Sequence, residues 1–135
     1  MKFHGGMMMF TMKKPKILIV EDEGIVAHDI RYILEGQGCE VTGIAVSGRQ
    51  AIEQARNQPP DVVLMDIRIQ GDLNGIEAAF LLQQQLERHV PVVFLTALSP
   101  SEFQMLQPDT GIYLNKPFTD EDLIQTLQLA VQRSF

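Results

Sequence analysis

Residues 17–23 read ILIVEDE: four apolar residues in a row, three of them β-branched, running straight into three acids. An uninterrupted apolar run is what a strand buried on both faces of a parallel sheet requires, since no alternate position is left for solvent. The acids then stand at that strand's carboxyl end. Outward from this run the same unit recurs. Val26, Ile30, Ile33 and Leu34 follow at helical spacing, with Gly36 and Gly38 placed to stop the helix. Cys39 to Val46 reads as a second strand, and Ser47-Gly48-Arg49-Gln50 as a start resembling a capping box for a helix through Asn57. After Pro59-Pro60, Asp61 to Asp66 (DVVLMD) is a third strand. Asn74-Gly75 opens a helix with Ile76, Ala79, Phe80, Leu82 and Leu86 apolar. Pro91 to Thr96 (PVVFLT) and Gly111 to Asn115 are a fourth and a fifth strand, and Thr119 caps a last helix carrying Leu123, Leu127, Ala130 and Val131 on one face. Between Leu98 and Thr110, Pro100 and Pro108 bracket a short segment in which the remaining helical stretch is expected. Five strands alternating with five helical stretches make right-handed parallel βαβ units, hence a three-layer α/β sandwich.

Composition narrows the function classes. The chain has 135 residues, 45% hydrophobic and 21% charged, which suits one domain with a core of its own. Its single cysteine, Cys39, cannot form an internal bridge, and no Cys/His cluster has zinc spacing, so a reducing, cytoplasmic setting is expected. A net charge of −6 argues against direct nucleic-acid binding, which needs clustered Lys and Arg. No apolar stretch approaches the ~20 residues that span a bilayer, so no membrane insertion is expected. Residues 1–14, MKFHGGMMMFTMKK, show no periodicity and lack the apolar core of a signal peptide; a disordered leader is expected there. His4, His28 and His89 fall away from the strand ends, and Cys39 reads as a small core residue.

In open parallel sheets ligands bind beyond the carboxyl ends of the strands, near the point where strand order reverses. Those ends are polar here: Glu21-Asp22 after the first strand, Asp66 at the third, Thr96 at the fourth and Lys116-Pro117 after the fifth. Converging carboxylates raise one another's pKa unless a cation sits among them, and oxygen donors suit a hard divalent ion, Mg²⁺ best. Asp22 and Asp66 are the expected direct ligands. Lys116 adds a compact positive charge and Thr96 a hydroxyl, which is what a phosphoryl group needs on its other sides. No Ser, Cys or His occupies a strand end, so the candidate covalent acceptor is a carboxylate, and Asp66, central in the row, is placed best.

These residues resemble the receiver domain of two-component response regulators. The resemblance runs from Lys16 to about Arg133 and rests on ILIVEDE (17–23), LMDIRIQGDLNGIEAA (64–79), FLTA (94–97) and YLNKPF (113–118), in order and on matching elements. It implies a receiver domain over residues 15–135 with a flavodoxin-like fold and strand order 2-1-3-4-5. It further implies a phosphoryl group taken from a sensor histidine kinase or phosphotransfer protein onto Asp66. The metal, Mg²⁺ or Mn²⁺, would be held by Asp22, Asp66 and the backbone carbonyl of Arg68, with Glu21 acting through a water. Lys116 and Thr96 would bind the phosphoryl oxygens, Tyr113 would turn inward as Thr96 moves, and Lys116-Pro117 would be a cis peptide. The switching surface would comprise the segment after Thr96, the fifth strand and the last helix, with a docking face along Leu123 and Leu127 for an effector or a second copy. Such a chain promotes only its own phosphorylation and dephosphorylation and is otherwise not an enzyme.

Two departures stand out. The interval from Thr96 to Lys116 is short, and the loop after Asp66 reads IRIQGDLNG, without the proline common a few residues after the phosphoacceptor. Each site residue alone has a bland reading: an N-cap acid, a strand-end carboxylate, a solvated lysine, a half-buried tyrosine. Their co-location at one sheet edge favours chemistry. A flavodoxin-like electron carrier would need a hydroxyl- and amide-rich loop after the first strand, where this chain is acidic. An aspartyl-phosphate hydrolase would place its nucleophile on the first strand with a second acid two residues later, whereas Asp66-Ile67-Arg68 lacks that acid. A pseudo-receiver typically loses one of the five site residues, and all five are present.

Overall fold

The computed structural model describes residues 14–97, 99, 101 and 111–134. Five strands, β1 (Lys16–Val20), β2 (Glu40–Ala45), β3 (Val62–Asp66), β4 (Val92–Thr96) and β5 (Ile112–Asn115), form one sheet in the order β2-β1-β3-β4-β5. Every neighbouring pair is parallel. Four described helices cover it: α1 (Gly24–Gly36), α2 (Gly48–Asn57), α3 (Gly75–Gln85) and α4 (Asp120–Ser134). The segment bracketed by Pro100 and Pro108 lies outside the described residues apart from Ser101, as does the expected leader apart from Lys14.

Alternation along the strands divides the core in two, because successive side chains point to opposite faces. Ile17, Ile19, Leu64, Val93 and Leu95 pack under α1 (Ala27, Ile30, Leu34) and α4 (Leu123, Ile124, Leu127, Ala130, Val131). Leu18, Val20, Val63, Met65 and Phe94 pack under α2 (Ala51, Ile52, Ala55) and α3 (Ala78, Ala79, Leu82). Burial of each such aliphatic side chain contributes roughly 1.5–3 kcal/mol before entropy is counted. β1 is buried from Ile17 onward and β3 and β4 throughout, as their unbroken apolar runs require, whereas the edge strand β5 alternates part-buried with exposed.

Local signals set the helix ends. α1 is followed by Gly38 at φ +90°, a left-handed conformation that costs glycine little, and the Gln37 and Cys39 amides both donate to the Leu34 carbonyl. Ser47 caps α2 by accepting from the Gln50 amide, while Gln50 Oε1 reaches back to the Val46 amide, one residue beyond the usual capping-box partner. Asn74 and Glu77 form a reciprocal capping box on α3, and Thr119 with Asp122 does the same for α4.

Phe80 is 64% exposed, because α3 turns Ala78, Ala79 and Leu82 inward and leaves residue 80 on the outer side. One expectation is corrected. Leu123 and Leu127 are fully buried against the sheet, so they cannot form a docking face; the exposed leucine of α4 is Leu129. Cys39 is buried and His28 and His89 are exposed, as read from the sequence; His4 lies outside the described residues. Among the described residues no helix is long and apolar enough to cross a membrane.

Candidate functional site

β3 is the middle strand, and strand order reverses between β1 and β3, so the crevice beyond their carboxyl ends is the natural ligand position. Each acid enters it from a rigid support. Glu21 follows β1 directly, tied by its amide to the Ala45 carbonyl at 2.9 Å. Asp66 is the last residue of β3, paired with Leu95, and Thr96 ends β4 one position further on, opposite Asn115. Glu21, Asp66 and Thr96 are all buried.

Lys116 joins the strand ends. Its amide donates to the Thr96 carbonyl at 2.8 Å, which fixes where the side chain starts. Its Nζ then donates to Asp66 Oδ2 at 2.9 Å and to Glu21 Oε1 at 3.0 Å. The other oxygen of Asp66, Oδ1, accepts from the Arg68 amide at 3.1 Å. Lys116–Pro117 is a cis peptide bond. Tyr113, opposite Phe94 on β5, is 49% exposed.

Burial, then the hydrogen bond and charge of neighbouring Asp66, push the Glu21 carboxyl up to about 8, against the lowering effect of Lys116. Burial alone would lower the Lys116 ammonium, but its bonds to Asp66 and Glu21 outweigh that and raise it. The site is therefore a crowded set of acids in which Lys116 serves both Glu21 and Asp66.

Glu21, Asp22 and Asp66 each offer a carboxylate oxygen within 4.8 Å of the others, and the buried Oε2 of Glu21 has no hydrogen-bond partner among the described residues. An orphaned buried oxygen is costly, and an all-oxygen donor set fits a hard divalent cation. The residues present thus suit Mg²⁺. The structure brings together Glu21, Asp22, Asp66 and Lys116, sets Thr96 at the adjoining strand end, and holds Tyr113 on the edge strand at the register of Phe94.

Sequence reasoning missed Gly75 as part of this site. A Cβ there would stand 2.2 Å from the Asp66 carbonyl oxygen and 2.8 Å from Ile67 Cα, and the Gly75 amide donates to the Ile67 carbonyl at 2.7 Å. The start of α3 rests directly on the Asp66–Ile67 backbone. The Asn74-Gly75 pair was legible only as a helix start; a glycine inside a helix, rather than before it, was the signal.

Residues 17–128 match the family described as the response regulator receiver domain. The chain is 38% identical over 120 residues to the transcriptional regulatory protein PdtaR of Mycobacterium tuberculosis, an alignment covering 87% of this chain and 57% of that protein. It is 33% identical over 114 residues to the sensory transduction protein LytT of Bacillus anthracis, covering 84% and 46%. The chain thus spans about half the length of the curated relatives it matches. The receiver domain of the Francisella response regulator 1452 superposes with a TM-score of 0.79 at 28% identity, covering 90% of this chain and 100% of that one. The receiver domain of a modulated diguanylate cyclase from Desulfovibrio desulfuricans gives 0.78 at 30% identity, covering 90% and 96%. With this sheet order, this row of strand-end residues and a family match over most of its length, the chain belongs to the response regulator receiver domain family.

Proposed function

We propose that this chain is a phosphoaccepting switch: Asp66 takes a phosphoryl group from a histidine kinase or phosphotransfer protein of the cytoplasm. In that transfer the bond from phosphorus to the donor's histidine nitrogen breaks as a bond to an Asp66 carboxylate oxygen forms. The observation that carries the reading is Lys116 Nζ within hydrogen-bond distance of both Glu21 and Asp66 at the central strand end. Asp22, Asp66 and the Arg68 carbonyl, assisted by Glu21, would hold Mg²⁺, which when bound would supply positive charge beside the phosphoryl oxygens. Lys116 follows the phosphoryl group and keeps its ion pair, since its partner gains charge rather than losing it. Thr96 donates its hydroxyl to a phosphoryl oxygen, and Tyr113, half exposed on the edge strand, turns toward the space this leaves. The chain acts on no other substrate, and its output passes through β5, α4 and the segment between them and Thr96, to an effector or a second copy.

Acetyl phosphate with Mg²⁺ tests this by intact mass. The parent gains one phosphoryl increment and the Asp66→Asn variant none; an increment that persists in Asp66→Asn, or maps to Asp22, overturns the assignment.

A further inference from the structure

The divergent loop after Asp66 is braced against α2. Residues 67–74 leave β3 and reach α3, and partway along Gln70 forms a parallel bridge with Ser47, just past the end of β2. β2 and β3 flank β1 on either side, so once β1 has ended, the continuations of its two neighbours pair with each other directly. Next to this bridge, Arg49 closes a fork on Asp72: Nη2 to Oδ2 at 3.0 Å and Nε to Oδ1 at 3.4 Å. The packing leaves no slack, since a Cβ on Gly48 would meet Ala78 Cβ at 2.8 Å and Leu73 Cβ at 3.1 Å. Gly71, at φ +98°, turns the loop beside Ser47.

Arg49 stands in the first turn of α2, where the helix dipole disfavours a cation, so a carboxylate opposite it removes a local penalty as well as making the fork. The Arg49 hydrogen bond holds the Asp72 carboxyl below its ordinary value. At the near end of the same loop the Arg68 amide donates to Asp66 Oδ1, and at the far end Gly75 donates to the Ile67 carbonyl. The brace sits between these two points.

We propose that Arg49 and Asp72 are positioning residues for Asp66: by pinning loop 67–74 to α2 they keep the Arg68 amide on the phosphoacceptor carboxylate, and so set how fast Asp66 gains and loses a phosphoryl group. The inference rests on the phosphoacceptor reading above. Both partners are exposed, so the effect is modest and screened by salt.

The test uses the full chain with Arg49→Gln, Asp72→Asn and the swap Arg49→Asp/Asp72→Arg. Three quantities are read: amide exchange at residues 68–70 without metal or phosphoryl donor, the rate of Asp66 labelling by acetyl phosphate at saturating Mg²⁺, and the melting temperature. Each single variant exchanges faster and labels about two- to fivefold more slowly at a near-parental melting temperature, the swap recovers both, and ~1 M NaCl draws the parent toward the single variants. Unchanged exchange or unchanged labelling in both single variants, or a swap that recovers neither, overturns the brace while leaving the phosphoacceptor reading intact. A parent that takes no label overturns both.

Discussion

Lys116 Nζ lies 3.0 Å from Glu21 Oε1 across 95 residues of sequence, while Glu21 Oε2, equally buried, has no hydrogen-bond partner among the described residues. The two oxygens of one carboxyl group thus stand in different surroundings, one facing a cation and the other not. The proton affinity of this group and the metal site proposed around it are therefore linked.

The Glu21 pKa of about 8 in the folded, metal-free chain exceeds its ordinary value of 4.5, so the native state binds the extra proton. Stability from that proton is fully present below the unfolded value and is lost as pH rises through about 8. In EDTA, urea midpoints should fall between pH 5 and 8.5, by at least ~1 kcal/mol in unfolding free energy. Glu21→Gln should flatten that profile; equal slopes in both proteins would show that another group is responsible.

Mg²⁺ should stabilise the domain by mass action, because the acid cluster repels itself when no cation is present. The expected result is a Mg²⁺-dependent rise in melting temperature that grows from pH 6 to pH 8 as Glu21 loses its proton. Asp22→Ala should remove the rise. Its survival in that variant would place the metal elsewhere.

Tyr113 carries the proposed link between Thr96 and the outer surface. Beryllofluoride should change amide exchange most between residues 98 and 113 and at the exposed side of α4 around Leu129. Tyr113→Ala should abolish that change while Asp66 still takes label. The largest change at residues 47–57, with 98–113 silent, would argue against this route.

Two glycines should respond oppositely to alanine. Gly75→Ala forces a Cβ to within 2.2 Å of the Asp66 carbonyl, and should cost about 1–3 kcal/mol despite alanine's better helix propensity. Gly36, in the last turn of α1, has nothing within 4 Å of its would-be Cβ and no positive φ, so Gly36→Ala should gain about 0.4–1 kcal/mol. Urea titration of both variants decides this.

The sequence by itself determined the layers of this protein and the identity of its strand-end residues. Runs such as Ile17 to Val20 and Val62 to Met65 can only be buried on both faces, and whatever follows them must emerge at one edge. The matching motifs then implied the strand order. Helix ends were legible too, because caps such as Ser47 and Thr119 act within four residues of themselves. What the tertiary structure alone decided depends on contacts between segments distant in sequence. Lys116 could be recognised, but its simultaneous reach to Glu21 and Asp66 requires β5, β3 and β1 in register. Phe80 was legible only as an apolar residue of the helix, and its outward position follows from how α3 sits on the sheet, with Gly75 resting on the Asp66 carbonyl and Ala78 filling the space beside Gly48. The Arg49–Asp72 fork had no local signature at all, since each residue alone is an ordinary surface charge and only the packing of α2 against the loop after β3 brings them within 3.0 Å.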